Sequence, residues 1–352
     1  MKYFLFLTII VFAFYLLGFM KKSDESKWLD KNYTTAIKGF SILTVVWAHV
    51  GGMLGVGGIQ FIAGIGVALF LICSGYGLEI SYERNGLKEF WKKRLLGVCM
   101  PFWVVELVGI LITEKFSIKT YLLDSFFLKP ATSYGWFIGY IIICYLIFFA
   151  VKRIIRDEKI QMLALFAVFI VWFVIDSVCF ANPDMPALRA RQMLSFPCGV
   201  ALALNKSRIE YMLSKLRNMS IITLFGGGTL CILFMAITQL GIVKSLPYLF
   251  SNIMALPTCL PMAVGIIVFG KQYRIFFENK MLKIIGTLSY EIYLVHAFTL
   301  NIIKPGVLPI GKFIIITLVV AGILHIIIEE RKNDRFRMFC IDFQYTSIFT
   351  AV

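Results

Sequence analysis

Charge is scarce in this sequence. Only 16% of its 352 residues are Asp, Glu, Lys or Arg, where a soluble domain carries roughly a quarter. That shortage, with a hydrophobic fraction of 59% and a mean hydropathy of +0.84, excludes a water-soluble globular class. Alternating apolar and polar segments of about ten residues are missing as well, which excludes a transmembrane β-barrel. Eight cysteines are present but none at C-x-x-C spacing, so neither a zinc ribbon nor a dithiol redox pair is encoded. The thiols read as small hydrophobes within apolar runs. No G-x-x-x-x-G-K-[ST] loop occurs, which argues against an ATP-driven motor. Soluble domains, low-complexity linkers and internal repeats are also lacking.

What the chain does have is a series of apolar runs long enough to span a bilayer. Spans are expected near residues 4–20, 36–56, 60–80, 96–113, 135–151, 160–180, 190–204, 219–240, 251–270, 284–303 and 311–328. The fold class is an all-α polytopic membrane protein, a bundle of about 10–11 transmembrane helices. A net charge of +15 would suggest nucleic acid in a soluble chain. Here the basic residues gather in alternate connections: Lys21, Lys22 and Lys27; Lys92, Lys93 and Arg94; Lys152, Arg153 and Arg156; Arg331, Lys332 and Arg335. The positive-inside rule explains that distribution, and no nucleic-acid partner is expected. It places the N-terminus outside and the C-terminus in the cytosol. No small-x-small site precedes Lys21, so the first span reads as an uncleaved anchor. Residues 1–30 form this extra anchor and its linker, residues 31–335 the main membrane domain, and residues 336–352 a cytosolic tail. The glycines of "GGMLGVGGIQFIAGIG" read as a tight turn between spans and as close helix packing.

Ionisable groups at membrane depth are costly and are functional suspects. His49 lies about 16 Å beyond Lys38 along the second span, at 1.5 Å per helical residue. His296, on the tenth span, reaches a similar depth, so two of the three histidines are matched in depth. Glu106, on the fourth span, lies comparably deep. A neutral histidine is a competent general base, and a carboxylate can orient it. His49 with Glu106 would make such a pair if their spans face each other; the plainer reading is a hydrogen bond that ties the bundle together. His325 precedes Glu329 by one helical turn, which predicts a local pair. Lys93 and Arg94 read either as topology anchors or as partners for a phosphorylated cytosolic ligand.

Four stretches resemble the membrane acyltransferase 3 family, multi-span enzymes that O-acylate glycans. "KGFSILTVVWAH" is similar to the family's basic residue followed by a histidine, here Lys38 and His49. "LFLICSGYGLEISY" resembles the next span. "FWKKRLLGVCMPFW" resembles the basic segment that opens the following one. "IGTLSYEIYLVHAF" resembles the late signature, with Tyr290, Tyr293 and His296. Two weaker echoes are "YGWFIGYIIICYLIF" around Trp136 and "HIIIEE" near the end of the last span. Order and spacing hold from about residue 30 to 335. One departure stands out: the family usually carries R-x-x-R in the basic segment, and Gly97 occupies the place of the second arginine after Arg94.

The resemblance implies an acyl-CoA donor, by default acetyl-CoA, arriving from the cytosol, and a hydroxyl acceptor on a cell-surface glycan or lipid-linked precursor. It implies no metal. His49 would be the catalytic group, as general base or as transient acyl carrier, with Glu106 supporting the imidazolium. Lys38, Lys93 and Arg94 would meet the CoA phosphates. Tyr290, Tyr293 and His296 would contact substrate. Arg189 and Arg191, at an outside end where basic residues are rare, would line an acceptor path or meet lipid phosphates. Trp136 reads as an interfacial belt residue or a stacking platform for a sugar ring. Membrane lipids are the remaining partners, and a bacterial plasma membrane is the expected location. The rival reading is a proton-coupled secondary transporter or exporter that uses the same buried His and Glu groups.

Overall fold

The computed structural model describes residues 1–18, 29–112, 117–132, 135–180, 188–215 and 218–349, with side chains through residue 330. The Lys21, Lys22 and Lys27 cluster lies outside the described residues, as do the side chains of Arg331, Lys332 and Arg335. Helices and turns make up the described residues, and no β-strand occurs among them. The helices are α1 (Lys2–Leu17), α2 (Lys31–Met53), α3 (Gln60–Asn85), α4 (Phe90–Ile112), α5 (Ile118–Ser125), α6 (Trp136–Ile154), α7 (Glu158–Cys179), α8 (Ser195–Leu204), α9 (Lys206–Lys215), α10 (Met219–Gln239), α11 (Tyr248–Gln272), α12 (Lys280–Thr287), α13 (Ser289–Thr299) and α14 (Val307–Phe349). Eight of them are long and apolar enough to cross a membrane, and α1 is a shorter apolar helix.

Local chemistry sets the helix starts. Asp30 caps α2 by accepting from the Tyr33 amide at 2.7 Å, and Asp157 caps α7 by accepting from Ile160 at 2.9 Å. These carboxylates satisfy amides that have no partner within the helix. Outward faces such as Leu163, Ile170 and Val178 on α7, or Ile222, Phe225 and Ile232 on α10, are apolar and exposed. Only lipid is a suitable solvent for them.

The centre of the bundle is α2, α3, α8 and α12, brought into backbone contact by paired glycines. A methyl group on Gly39 would collide with the Leu282 carbonyl, and one on Gly286 with the Thr35 carbonyl. The same reciprocity joins α3 to α8: Gly75 abuts the Phe196 carbonyl and Gly199 the Ile72 carbonyl. Small residues drive this association because lipid offers no hydrophobic gain for helix pairing. Gly55 and Gly58, with φ of +77° and +80°, form the turn between α2 and α3.

Two expected spans are irregular. The span near 190–204 is a 3-10 turn at Ala190–Gln192 followed by the ten-residue α8. The span near 284–303 is split at Leu288 into α12 and α13. Non-helical backbone at membrane depth is tolerated where protein covers it or where it borders a cavity, and both breaks border cavities described below.

Lys152, expected as part of a basic cluster facing the cytosol, is buried. Its Nζ lies 2.6 Å from Glu79 Oε1 and 2.7 Å from Gln161 Oε1, with Lys152 and Glu79 side chains each 2% exposed. It also sits 4.6 Å from the Tyr82 ring centroid. This pair clamps α3, α6 and α7. Removing one partner would strand a buried charge, at a cost of about 3–5 kcal/mol.

Candidate active site

Two cavities enter the bundle from opposite ends. The first, about 340 Å³, lies beside the first turns of α2 and the middle of α14. Its walls include Lys38, Ser74, Tyr145, Tyr290, Glu291 and His325. The second, about 140 Å³, lies where α2 ends and α3, α6 and α8 begin. Its walls include His49, Gln60, Trp136, Arg191 and Gln192. Tyr293 is in the wall of both.

His49 and His296 meet beside Tyr293. His49 Nδ1 lies 3.1 Å from His296 Nε2, and the ring planes are within 6° of parallel. His296 is fully buried, and its Nδ1 contacts the Tyr293 carbonyl. A carbonyl only accepts, so His296 Nδ1 carries a proton. With His296 neutral, its Nε2 must accept, so His49 Nδ1 donates. The lone pair of His49 is thereby placed on Nε2, the nitrogen suited to act as a base.

The expected pairing of His49 with Glu106 is corrected. Glu106 hydrogen-bonds Asp124 of α5 instead. Carboxylates only accept, so this contact requires a proton held between the two groups. Burial accordingly holds the Asp124 carboxyl above its ordinary range. Trp103 Nε1 donates to the Ser125 carbonyl at 2.9 Å and fixes α5 against α4. His325 also differs from expectation. Its Nδ1 reaches across to Glu291 Oε1 at 2.8 Å, a partner on α13 and not on its own helix. That hydrogen-bonded pair and Glu329 border the larger cavity.

Of the basic residues expected around the donor, Lys38 lines the larger cavity. Arg94 lies behind its wall, 5.4 Å from the Tyr145 ring centroid and 4.9 Å from that of Phe90. Lys93 is exposed on the surface. Residues Leu95–Cys99 form a π-helical turn within α4, a feature that often marks functional sites. Tyr290 donates its hydroxyl proton to the Val98 carbonyl in that turn at 2.6 Å. Tyr290 therefore stabilises the wall of the larger cavity and does not face the smaller one. Gly97 also lines the larger cavity, with open space where a side chain would project.

At the other end, Trp136 and Arg191 line the smaller cavity. Arg189 does not; it pairs with Asp176 at 2.8 Å. Gln60 and Gln192 were not singled out from sequence. Their only signal was a polar side chain opening an apolar segment. Gln192 is held by donation to the Gly64 carbonyl at 2.9 Å, and Gln60 by donation to the Ala48 carbonyl at 3.2 Å. Among the described residues, no group of three or more His, Cys, Asp or Glu could hold a metal ion.

A model of the acyltransferase 3 family, described as an acyltransferase domain, matches residues 26–328. The chain belongs to this family. It is an integral membrane acyltransferase, with His49, His296, Tyr293 and the smaller cavity inside the matched region, and all of the larger cavity's lining but Glu329. No curated protein and no solved structure matches the chain.

Proposed function

We propose that this acyltransferase moves an acyl group, acetyl by default, from acyl-CoA to a hydroxyl of a cell-surface glycan or its lipid-linked precursor. The observation that carries the reading is the pair of cavities converging from opposite ends on Tyr293 and the two histidines. In this reading the Lys38 end faces the cytosol and the His49 end faces outward, with the N-terminus outside, in a bacterial plasma membrane. The basic connections fit that orientation.

The larger cavity takes the donor. Lys38 lies at its mouth to meet CoA phosphate, with Arg94 behind its wall and Lys93 on the adjoining surface. The thioester then lies near Tyr293, and the acceptor hydroxyl enters the smaller cavity beside Trp136. His49 Nε2 takes the hydroxyl proton as the oxygen attacks the thioester carbonyl. The C–S bond breaks, and the same proton passes from His49 to the departing thiolate. His296 performs the orienting role anticipated for Glu106: it fixes the His49 tautomer and shares the positive charge through the 3.1 Å contact. Burial between the cavities limits hydrolysis of the thioester by water.

The test follows thiol release from acetyl-CoA by purified protein with a membrane glycan extract as acceptor. Release by wild type that is abolished in a folded His49→Ala variant supports the reading. Release unaffected by that substitution contradicts it.

A further inference from the structure

The smaller cavity carries a positive charge that acyl transfer does not require. Arg191 lines it together with His49, Gln60 and Gln192. The other arginine of this segment, Arg189, is neutralised by Asp176 at 2.8 Å. Among the described residues Arg191 has no acidic partner, and its Nε is buried without a hydrogen bond. Arg191 is half-buried, and a cation that lines a confined site without a counter-charge is stabilised by an anionic ligand.

The two glutamines extend the pattern. Their amide nitrogens are committed to the Gly64 and Ala48 carbonyls. Gln192 Oε1 accepts from Ser195 Oγ at 3.3 Å. This fixes both side chains on the backbone of α2 and α3, with their polar ends in the wall shared with Arg191. The cavity is small, and Trp136 offers a flat apolar face to one side of it. The elements assembled are one cation, fixed amides, one aromatic face and one base. They match a sugar ring that bears both a hydroxyl to be acylated and a negative charge.

We propose that the acceptor is an anionic sugar, whose carboxylate or phosphate ester is bound by Arg191 while a neighbouring hydroxyl is presented to His49. This rests on the reading of the smaller cavity as the acceptor site. Charge-assisted bonds to a planar guanidinium discriminate strongly against a neutral isostere, because the neutral ligand leaves the cation unpaired.

The experiment measures equilibrium binding without donor, so it does not depend on turnover. Full-length protein in an uncharged alkyl maltoside, free of phospholipid, is titrated with methyl glucoside, methyl glucuronide and glucose 6-phosphate. Either anionic sugar is expected to bind about tenfold to hundredfold more tightly than the neutral one. The arm that binds identifies carboxylate or phosphate as the preferred group. Arg191→Gln should erase the difference, Arg191→Lys should restore part of it, and acetyl-CoA binding at the opposite end should be unchanged in both. Equal affinity for all three sugars overturns the proposal, as does an anionic preference that survives Arg191→Gln. Arg191-dependent binding of short-chain phosphatidylglycerol but of neither sugar also overturns it and assigns Arg191 to lipid. Arg191-dependent anionic binding with no acetyl-CoA turnover would leave an anionic-sugar site at Arg191 standing while overturning the proposal that its occupant is an acyl acceptor.

Discussion

The two cavities are built from different materials. The larger is bordered by a loose set of charges: Lys38, the Glu291–His325 pair and Glu329, with Arg94 just behind Tyr145. It is formed by broken secondary structure, the π-helical turn at Leu95–Cys99 and the helix break at Leu288. The smaller is formed by the ends of α2, α3 and α6 and the turn before α8, with its amides tied to neighbouring backbone. One end has room and several ionisable groups, suited to a long, highly charged donor that threads inward. The other end has a fixed set of directions, suited to selecting one hydroxyl on one ring. The division predicts that substitutions separate by location: changes at the centre lower kcat, changes at the Lys38 end alter the KM for donor, and changes at the His49 end alter the KM for acceptor.

The strongest break of that pattern comes from the centre. His49→Ala should lower kcat by about 10²–10⁴-fold, the usual worth of a general base, with the Kd for acetyl-CoA unchanged by isothermal titration. His296→Gln should lower kcat by about tenfold to hundredfold, the range lost when a partner that orients a functional imidazole is removed. A glutamine amide can still donate toward Tyr293 and accept from His49, so His296→Gln should retain more activity than His296→Leu. Lys38→Gln should raise the KM for acetyl-CoA about tenfold with little change in kcat, the signature of lost ground-state binding. Gly97→Arg should do the reverse. It fills open space with a guanidinium and should lower the KM for acetyl-CoA by a few-fold to about tenfold, read from initial rates across donor concentration. A change in acceptor KM from either donor-end variant would show that the two ends are not separate.

The sequence made some of this legible and concealed the rest for physical reasons. The spans were readable because a bilayer demands length and apolarity, and α3, α6, α7 and α10 needed nothing more. The matched depth of His49 and His296 was readable from helical rise alone, and the structure brings the two together. The break at Leu288 was not, because no proline marks it and apolar residues resume on both sides, at Ile284–Ile285 and Ile292–Val295. The Glu106 partner was hidden for a different reason. Asp124 belongs to the short α5 outside the bundle proper, where linear depth has no meaning. His325 pairs across helices because Glu291 faces it, which no spacing within α14 could reveal. Lys152 was concealed by its company: beside Arg153 and Arg156 it reads as a surface cluster, yet only the fold shows Glu79 and Gln161 enclosing it.

The central claim is that donor and acceptor reach His49 from opposite faces of the membrane. Proteoliposomes with defined protein orientation test it most directly. Radiolabelled acetyl-CoA, which does not cross the bilayer, is supplied only on the Lys38 side, and the glycan acceptor is sealed on the His49 side. The account predicts labelled acceptor in that sealed compartment, dependent on His49. Labelled acceptor formed only when both substrates share one compartment would contradict it.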